Sequence, residues 1–212
     1  MKLGEPRIHP TALIEAGVEI GAGTAVWDHV HIRHDAVIGE ECIIGEKTYI
    51  AYDVRIGNRV KVNGFVYFVT AVTIEDGVYV GAGVVFTNDR HPRATTPDLR
   101  TLRSSEPDEQ TRPTLVRSGA TIGASSIVGC DLSIGRFAMI GMGSVVTRSV
   151  PDFHLAIGSP AISVGCSCRC GHTLLSFPAR QPPDVARVEC KACGLPYAVR
   201  ATGEVVELAP PA

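Results

Sequence analysis

Hydrophobic residues recur at every sixth position along most of this chain. One series runs from Ile8 to Phe86, and a second runs from Val116 to Val146. In many of these hexads a glycine directly follows the apolar residue. A small or β-branched residue lies four positions after the apolar residue. A period of six matches neither a helix of 3.6 residues per turn nor a strand with simple alternation.

A fixed internal repeat of this kind indicates a solenoid. We expect each hexad to form one short strand and one corner, with the apolar side chain pointing inward and the glycine at the turn. Three hexads close a triangular coil, and coils stack at ~4.8 Å, the spacing of hydrogen-bonded strands. The twenty hexads therefore predict between six and seven coils.

Two interruptions divide the chain. The hexads are lost between Phe86 and Val116, which predicts an excursion loop at about 87–115, and a long loop in a compact domain is usually functional. The repeat ends after Val150. We predict a β-helix domain at 1–164 and a small cysteine-rich tail at 165–212.

The composition does not alter the predicted fold, but it excludes some classes of partner. The 212 residues are 45% hydrophobic and 20% charged, with a net charge of −2, which is typical of a globular protein. Like charges do not cluster, so neither nucleic acid nor a membrane is an expected partner. The sequence has no secretory leader pattern and no apolar run of ~18 residues. We expect a cytoplasmic protein whose seven cysteines serve as metal ligands or core fillers.

The start of the excursion loop, residues 87–94, concentrates polar and basic side chains. Asn88 is a candidate to orient an amine, and His91 is a candidate to accept a proton. Arg90 and Arg93 are candidates to bind phosphate groups. The alternative interpretation is an ordinary solvated loop.

The hexads, the segments VVFTNDRHPRATT and PTLVRSGATIGASS, and the run GMGSVVTRSVPDFHLAIGSPAISVG together resemble the hexapeptide N-acetyltransferases of nucleotide-linked 3-amino sugars. The resemblance covers nearly the whole chain. It implies an all-β fold, a left-handed parallel β-helix, and a homotrimer with active sites between neighbouring prisms. It also implies acetyl-CoA as donor and a UDP- or dTDP-linked amino sugar as acceptor. Asn88 matches the family asparagine beside the reacting amine, whereas His91 lies where relatives carry tyrosine.

The implied reaction is attack of an amine on a thioester, which depends on positioning and on an oxyanion donor. A sugar amine near electronegative groups should have a pKa closer to ~7.7 than to the ~10.4 of lysine, so much of it is already unprotonated. Backbone N–H groups beside glycine are expected to polarise the thioester, and the predicted cofactor-binding residues are Gly123, Ser125, Gly141 and Gly143.

Asn63 is a further predicted substrate-binding residue. Many uronate-type relatives carry Asn-Asn-Val-Ser where this chain has the partly aromatic stretch 62–68. The sequence therefore leaves open whether the sugar is a uronate or a deoxyhexose.

A second polar cluster lies at 27–34. His31 matches a histidine common in the resembling family, which implies a base supplied from the neighbouring subunit. One alternative is a surface or trimer-contact cluster. Another is a zinc site like that of γ-type carbonic anhydrases, because His29 and His34 are five residues apart.

The tail carries two cysteine clusters about twenty residues apart, which are typical of a zinc ribbon. Glycine follows Cys170 and Cys193, which marks each as the second member of a pair. We predict a structural zinc held by Cys168, Cys170, Cys190 and Cys193, where Cys168 is chosen because the resemblance implies it: relatives with such a tail carry Cys-x-Cys-Gly there. Cys166 is the alternative to Cys168, and free thiols in a loose tail are the alternative to a metal site.

The sequence is compatible with three functions. The first is acetyl transfer to the amine of a nucleotide-linked 3-amino sugar. The second is another hexapeptide O- or N-acyltransferase that acts on a small acceptor. The third is a γ-carbonic anhydrase-like enzyme or a scaffold solenoid.

Overall fold

The computed structural model describes residues 4–208 and is almost entirely β-structure. Twenty short strands form a three-sided prism. Their bounds are β1 Arg7–Ile8, β2 Leu13–Ile14, β3 Glu19–Ile20, β4 Ala25–Val26, β5 His31–Ile32, β6 Val37–Ile38, β7 Ile43–Ile44, β8 Tyr49–Ile50, β9 Arg55–Ile56, β10 Lys61–Val62, β11 Tyr67–Phe68, β12 Val72–Ile74, β13 Tyr79–Val80, β14 Val85–Phe86, β15 Thr114–Val116, β16 Thr121–Ile122, β17 Ile127–Val128, β18 Leu132–Ile134, β19 Met139–Ile140 and β20 Val145–Val146.

Each strand pairs in parallel with the strand three places later, as the repeat predicts. Sheet A contains β1-β4-β7-β10-β13-β16-β19, sheet B contains β2-β5-β8-β11-β14-β17-β20, and sheet C contains β3-β6-β9-β12-β15-β18. The predicted parallel β-helix of hexapeptide repeats is confirmed. Its left-handed sense stays a prediction that rests on the family resemblance.

The apolar residue of each hexad points into the prism and forms a continuous core. Ile50, Phe68 and Phe86 are successive members of one internal stack in sheet B and are at most 1% exposed. Cys42 is buried in the same core and occupies a slot for a small residue. The first coil is less covered, and Ile8 is 41% exposed because no coil formed by residues 4–208 lies beneath it.

The corners differ from the expectation that the glycine after the apolar residue makes the turn. The left-handed residue lies three positions after the apolar one and is often not glycine, as at Asp35, where φ is 60°, and Lys47, where φ is 56°. Gly21 serves close packing instead, since a Cβ there would lie 2.5 Å from the backbone of Gly39 in the next coil. The glycine thus avoids a Cβ clash, as expected, but the left-handed residue of the corner lies two positions after it.

The excursion loop occupies residues 87–113, between β14 and β15. Paired residues are 18 apart within the regular coils, as in Ile56↔Ile74, but 42 apart across the loop, as in Ile74↔Val116. The loop is therefore an insertion of 24 residues that leaves the coils in register. Thr95 and Leu102 form an antiparallel bridge within it.

The C-terminal part folds back over the last coil. It contains β21 His154–Gly158, β22 Ala161–Ser167, β23 Thr173–Ser176, a 3₁₀-helix at Pro178–Arg180, β24 Val185–Glu189, β25 Pro196–Val199 and β26 Val205–Glu207. β21 pairs with β19 and continues sheet A, while β24, β25 and β26 form a separate antiparallel sheet. β22 runs across the predicted domain boundary between residues 164 and 165.

A second small core joins this tail to the prism. Phe137 stacks on Phe153 with ring centroids 5.5 Å apart, and Phe153 meets Tyr197 edge-on at 5.7 Å. The buried His154 hydrogen-bonds the carbonyl oxygen of Gly203 at 2.7 Å and the hydroxyl of Ser163 at 2.8 Å. The tail is thereby fixed to the C-terminal end of the β-helix.

Candidate active site and metal centre

The base of the excursion loop holds Asn88 in a defined position. The carbonyl oxygen of Asn88 accepts a hydrogen bond from the backbone N–H of Arg112 at 2.8 Å, which closes the loop across its two ends. The preceding residue, Thr87, donates its N–H to Val128 of the next coil at 3.0 Å. Asn88 therefore lies on a rigid part of the prism wall, half-buried, where sheet B turns toward sheet C.

Ion pairs organise the rest of the loop. Arg90 binds Asp131 at 2.9 Å. Arg103 approaches Asp89 at 3.7 Å and donates to the carbonyl oxygen of His91 at 3.1 Å. His91 itself is exposed. Arg90 is thus partly neutralised by its own chain.

Arg93 and Arg103 face a cavity of about 550 Å³ within the loop. Its lining also includes Thr95, Thr96, Pro97 and Leu99. Arg103 already approaches Asp89, whereas Arg93 pairs with no carboxylate of residues 4–208, so Arg93 is the stronger candidate to bind an anionic ligand in this cavity. Sequence reasoning found Arg93 and missed Arg103, because only the folded loop returns residue 103 to the loop entrance.

The predicted cofactor residues lie along the edge where sheet A turns toward sheet B. Gly123 and Gly141 occupy equivalent corners of successive coils, and Ser125 and Gly143 are the exposed left-handed residues of those corners, with φ of 59° and 68°. Asn63 lies on the same edge two coils before Gly123, and its side-chain amide donates to the hydroxyl of Tyr79 at 2.7 Å.

The backbone N–H groups at these corners differ in whether they already have a hydrogen-bond partner within the β-helix. The N–H groups of Gly123, Gly141 and Gly143 donate to carbonyl oxygens of neighbouring coils at 2.8 to 2.9 Å. Among the backbone hydrogen bonds of residues 4–208, the N–H groups of the adjacent Ala124 and Met142 have no such partner. These two exposed corner amides are therefore the better candidate donors.

Sheet B separates the two groups of predicted residues. Asn88 follows a strand of sheet B, whereas Gly123 and Gly141 follow strands of sheet A. The two groups consequently lie on different edges of one prism, and a single chain does not bring them face to face.

His31 lies in an ionic cluster in the second coil. Its Nε2 is 2.8 Å from Glu15, the Nε of Arg33 is 2.7 Å from the same carboxylate, and the ring of Tyr49 meets His31 edge-on at 5.5 Å. The close ion pair with Arg33, together with the hydrogen bond from His31, lowers the pKa of Glu15 to about 2. Three coil spacings, ~14 Å, separate β5 from β14, so one chain does not join His31 to Asn88.

Tyr52 of the third coil packs beside this cluster. Burial, followed by the negative charge of Glu106 in the loop, raises the pKa of Tyr52 in the third coil. Tyr52 stacks on His34 at 5.1 Å and lies 5.8 Å from the guanidinium of Arg33. His34 also pairs with Asp35 at 2.9 Å. Within residues 4–208 of one chain, His29 and His34 do not belong to a group of three metal-ligating side chains.

Four cysteines of the tail do form such a group. The ligand atoms of Cys168, Cys170, Cys190 and Cys193 all lie within 4.8 Å of one another. Cys168 is 3.4 Å from Cys193, and Cys170 is 3.5 Å from Cys190. A tetrahedral site with zinc–sulfur bonds of ~2.3 Å has sulfur–sulfur edges of ~3.8 Å, close to these separations.

The surroundings of Cys190, one of these four cysteines, favour its thiolate form. Burial raises the pKa of Cys190, but hydrogen bonds from the backbone N–H groups of Ala192 and Cys193, together with those from the thiols of Cys170 and Cys168, lower the pKa to about 6. Cys166 is fully buried elsewhere in the small tail core and is outside the group. The geometry therefore favours Cys168 over Cys166 as the fourth ligand.

The comparisons agree with this architecture. The family model "Bacterial transferase hexapeptide (six repeats)" matches residues 17–52 and 53–88. The chain is 43% identical to dTDP-3-amino-3,6-dideoxy-alpha-D-galactopyranose 3-N-acetyltransferase of Aneurinibacillus thermoaerophilus, over 77% of this chain and 79% of that protein. It is 28% identical to the bifunctional protein GlmU of Thermotoga maritima, over 70% of this chain but only 40% of GlmU.

A solved structure also shares the fold. The hexapeptide-repeat acetyltransferase of Vibrio cholerae, complexed with acetyl coenzyme A, matches with a TM-score of 0.52 and 22% identity, over 61% of this chain and 69% of that one. The chain belongs to the hexapeptide-repeat acetyltransferases. Within that class, its identity to the Aneurinibacillus enzyme over most of both chains confirms the predicted family of N-acetyltransferases for nucleotide-linked amino sugars. No helix among residues 4–208 has the length and apolar character to span a membrane.

Proposed function

We propose that this enzyme transfers the acetyl group of acetyl-CoA to the 3-amino group of a dTDP-linked 3-amino-3,6-dideoxyhexose. The observation that carries the proposal is the 43% identity to an enzyme of that activity over about four-fifths of each chain. The excursion loop supports it, because its Arg93 and Arg103 face a cavity that suits an anionic nucleotide. We assign Arg90 and Asn63 supporting roles in the same substrate site.

In the proposed reaction, the sugar nitrogen attacks the carbonyl carbon of the thioester. The carbon–sulfur bond then breaks, the nitrogen loses a proton, and coenzyme A leaves as the thiol. Asn88 orients the amine, while the N–H groups of Ala124 or Met142 hold the developing oxyanion beside Gly123 and Gly141. His91 is the candidate proton acceptor on the loop, and His31 is a second candidate from a neighbouring subunit.

In a homotrimer, residues on two different edges of neighbouring prisms can form one active site. When one prism places its sheet A–sheet B edge against another prism's sheet B–sheet C edge, the glycine corners face Asn88 across a cleft. Sheet B carries an outward row of exposed apolar residues that supports such contact, and the row includes Leu13 at 56%, Tyr67 at 46% and Ile127 at 44% exposure. Exposed apolar surface of this extent is typical of an interface.

We also propose that Cys168, Cys170, Cys190 and Cys193 hold one structural zinc. The four thiols meet the ligand number and approximate geometry of a Cys₄ site, which leaves no open position for catalysis. A tail with a small core of its own gains stability from such a cross-link.

The test of the activity is thiol release from acetyl-CoA with a panel of acceptors. The panel contains dTDP- and UDP-linked 3-amino sugars, 3-amino uronates, and matched sugars with a hydroxyl at C3. We expect rapid release with the dTDP-linked 3-amino-3,6-dideoxyhexose and none with its 3-hydroxy counterpart. Activity on hydroxyl acceptors alone would instead establish a hexapeptide O-acyltransferase.

A further inference from the structure

We propose that the cysteine-rich tail completes the acetyl-CoA site, with Arg180 binding the 3′-phosphate at the adenosine end of the cofactor. This inference rests on the proposed use of acetyl-CoA along the edge marked by Gly123 and Gly141. It assigns the tail a direct part in binding the donor, in addition to covering the last coil.

The first support is the position of the β21–β22 hairpin. β21 continues sheet A directly after β19, with Ile140 opposite Ala156. Ile157 therefore lies next to Gly141, at the same sheet A–sheet B corner as Gly123 and Gly141. A Cβ on Gly141 would lie 2.6 Å from the side chain of Ile157. The N–H of Gly158 donates to the hydroxyl of Ser144 in the last coil at 3.2 Å. The sheet A–sheet B edge that carries Gly123 and Gly141 therefore continues directly into the β21–β22 hairpin.

The second support is a cavity at the end of that edge. Its volume is about 400 Å³, and it is lined by Ile157, Gly158, Ser159, Pro160, Ile162, Val164 and Arg180. The wall is mostly apolar, and Arg180 is its one charged side chain. An apolar wall with a single cation beside it suits a purine base attached to a phosphorylated ribose.

The charge of Arg180 is available for a ligand. Arg180 is exposed at the end of the 3₁₀-helix, and among residues 4–208 no carboxylate lies within 4.0 Å of its guanidinium. Arg136 and Arg169 differ, since both pair with Glu207. Arg180 is therefore the basic side chain of this cavity that can meet a phosphate.

The separation of the two ends also fits an extended cofactor. Asn88 follows β14 in the fifth coil, and the hairpin lies three coil spacings further along the prism, or ~14 Å. Coenzyme A carries its thioester and its phosphorylated adenosine at opposite ends of a long arm. In the proposed site the thioester lies beside Ala124, two coil spacings or ~10 Å before the hairpin, while the adenosine lies against Ile157 and Val164.

The test compares acetyl-CoA with 3′-dephospho-acetyl-CoA in steady-state kinetics of the wild-type enzyme, Arg180→Ala and Arg180→Lys. We expect Arg180→Ala to raise the KM for acetyl-CoA roughly ten- to a hundredfold, as loss of a charged hydrogen bond implies, with kcat and the KM for the sugar unchanged. The same substitution should leave the KM for the dephospho donor unaltered. Arg180→Lys should recover part of the affinity.

Arg187→Ala is the matched control, because Arg187 is an exposed tail arginine that pairs with Glu189 in β24. Equal effects of Arg180→Ala on both donors, or no effect on either, would overturn the assignment. Calorimetric titration with coenzyme A and 3′-dephospho-coenzyme A provides the same comparison without catalysis. If the wild type acetylates no amino sugar, the proposed acceptor fails, while calorimetry still decides the role of Arg180.

Discussion

Phe68 and Phe86 stack inside the prism with ring centroids 5.0 Å apart, one coil above the other. Phe86 is 1% exposed and is the last core residue before the excursion loop. Phe86→Ala should therefore lower the free energy of unfolding by ~3–5 kcal/mol, since it opens a cavity beneath the loop. Urea denaturation measures the change. Phe65→Ala, at a corner residue that is 56% exposed, should change stability by less than ~0.5 kcal/mol.

Asn88→Ala should reduce kcat by about a hundredfold, the scale expected when a reacting group loses its alignment. The oligomer should remain intact, because Asn88 makes its structural contact through the backbone. Thiol-release kinetics and sedimentation measure the two properties. Asn58→Ala, at a corner of sheet C, is the control and should retain full turnover. Unchanged kinetics for Asn88→Ala would refute its role.

Cys190→Ser combined with Cys193→Ser should abolish zinc binding. Elemental analysis should find about one zinc per chain in the wild type and none in the double variant, because two of four ligands are lost. The tail should then become sensitive to protease while the β-helix keeps its circular dichroism. Cys130→Ser, outside the cysteine group, should keep its metal. Zinc retained in the double variant would place the metal elsewhere, with His29 and His34 the first candidates.

Ile127→Glu should dissociate the proposed trimer, because it places a charge in the exposed apolar row of sheet B. Analytical ultracentrifugation should show a smaller species and thiol release should fall, since the proposed site needs two prisms. Thr73→Glu makes the same change on the outer face of sheet C and should leave both properties unaltered. A trimer that persists in Ile127→Glu would exclude sheet B as its contact face.

His154 should make the stability of the tail sensitive to acid. Burial lowers the pKa of His154 from its ordinary value of 6.5, so the unfolded chain binds the proton more readily than the folded one. The stabilisation is then complete above pH 6.5 and is lost as the pH falls through the lowered folded value. Urea midpoints at pH 7.5, 6.5 and 5.5 should fall in that order, with a smaller slope in His154→Gln. An equal slope in His154→Gln would assign the acid sensitivity to other groups.

The sequence predicted the features that repeat or that have fixed spacing. The six-residue period located the core and the excursion loop, and the cysteine spacing located four thiols that the fold brings together. The proposed roles of Arg103 and Arg180 were not predictable from the sequence, because each depends on how a non-repeating segment folds back on the prism. The pairing of Arg90 with Asp131 was missed for the same reason, since 41 residues separate them in the chain.

The regular stacking of the coils fixes distances along the prism in equal steps. One coil takes 18 residues, as in Phe68↔Ile50, and adds ~4.8 Å to its length. The distance between the excursion loop and the tail can therefore change only in whole steps of this size. A flexible linker between two domains could vary such a distance continuously. If the donor spans that interval, the reach of its arm limits how many coils this enzyme can gain or lose between residues 88 and 157.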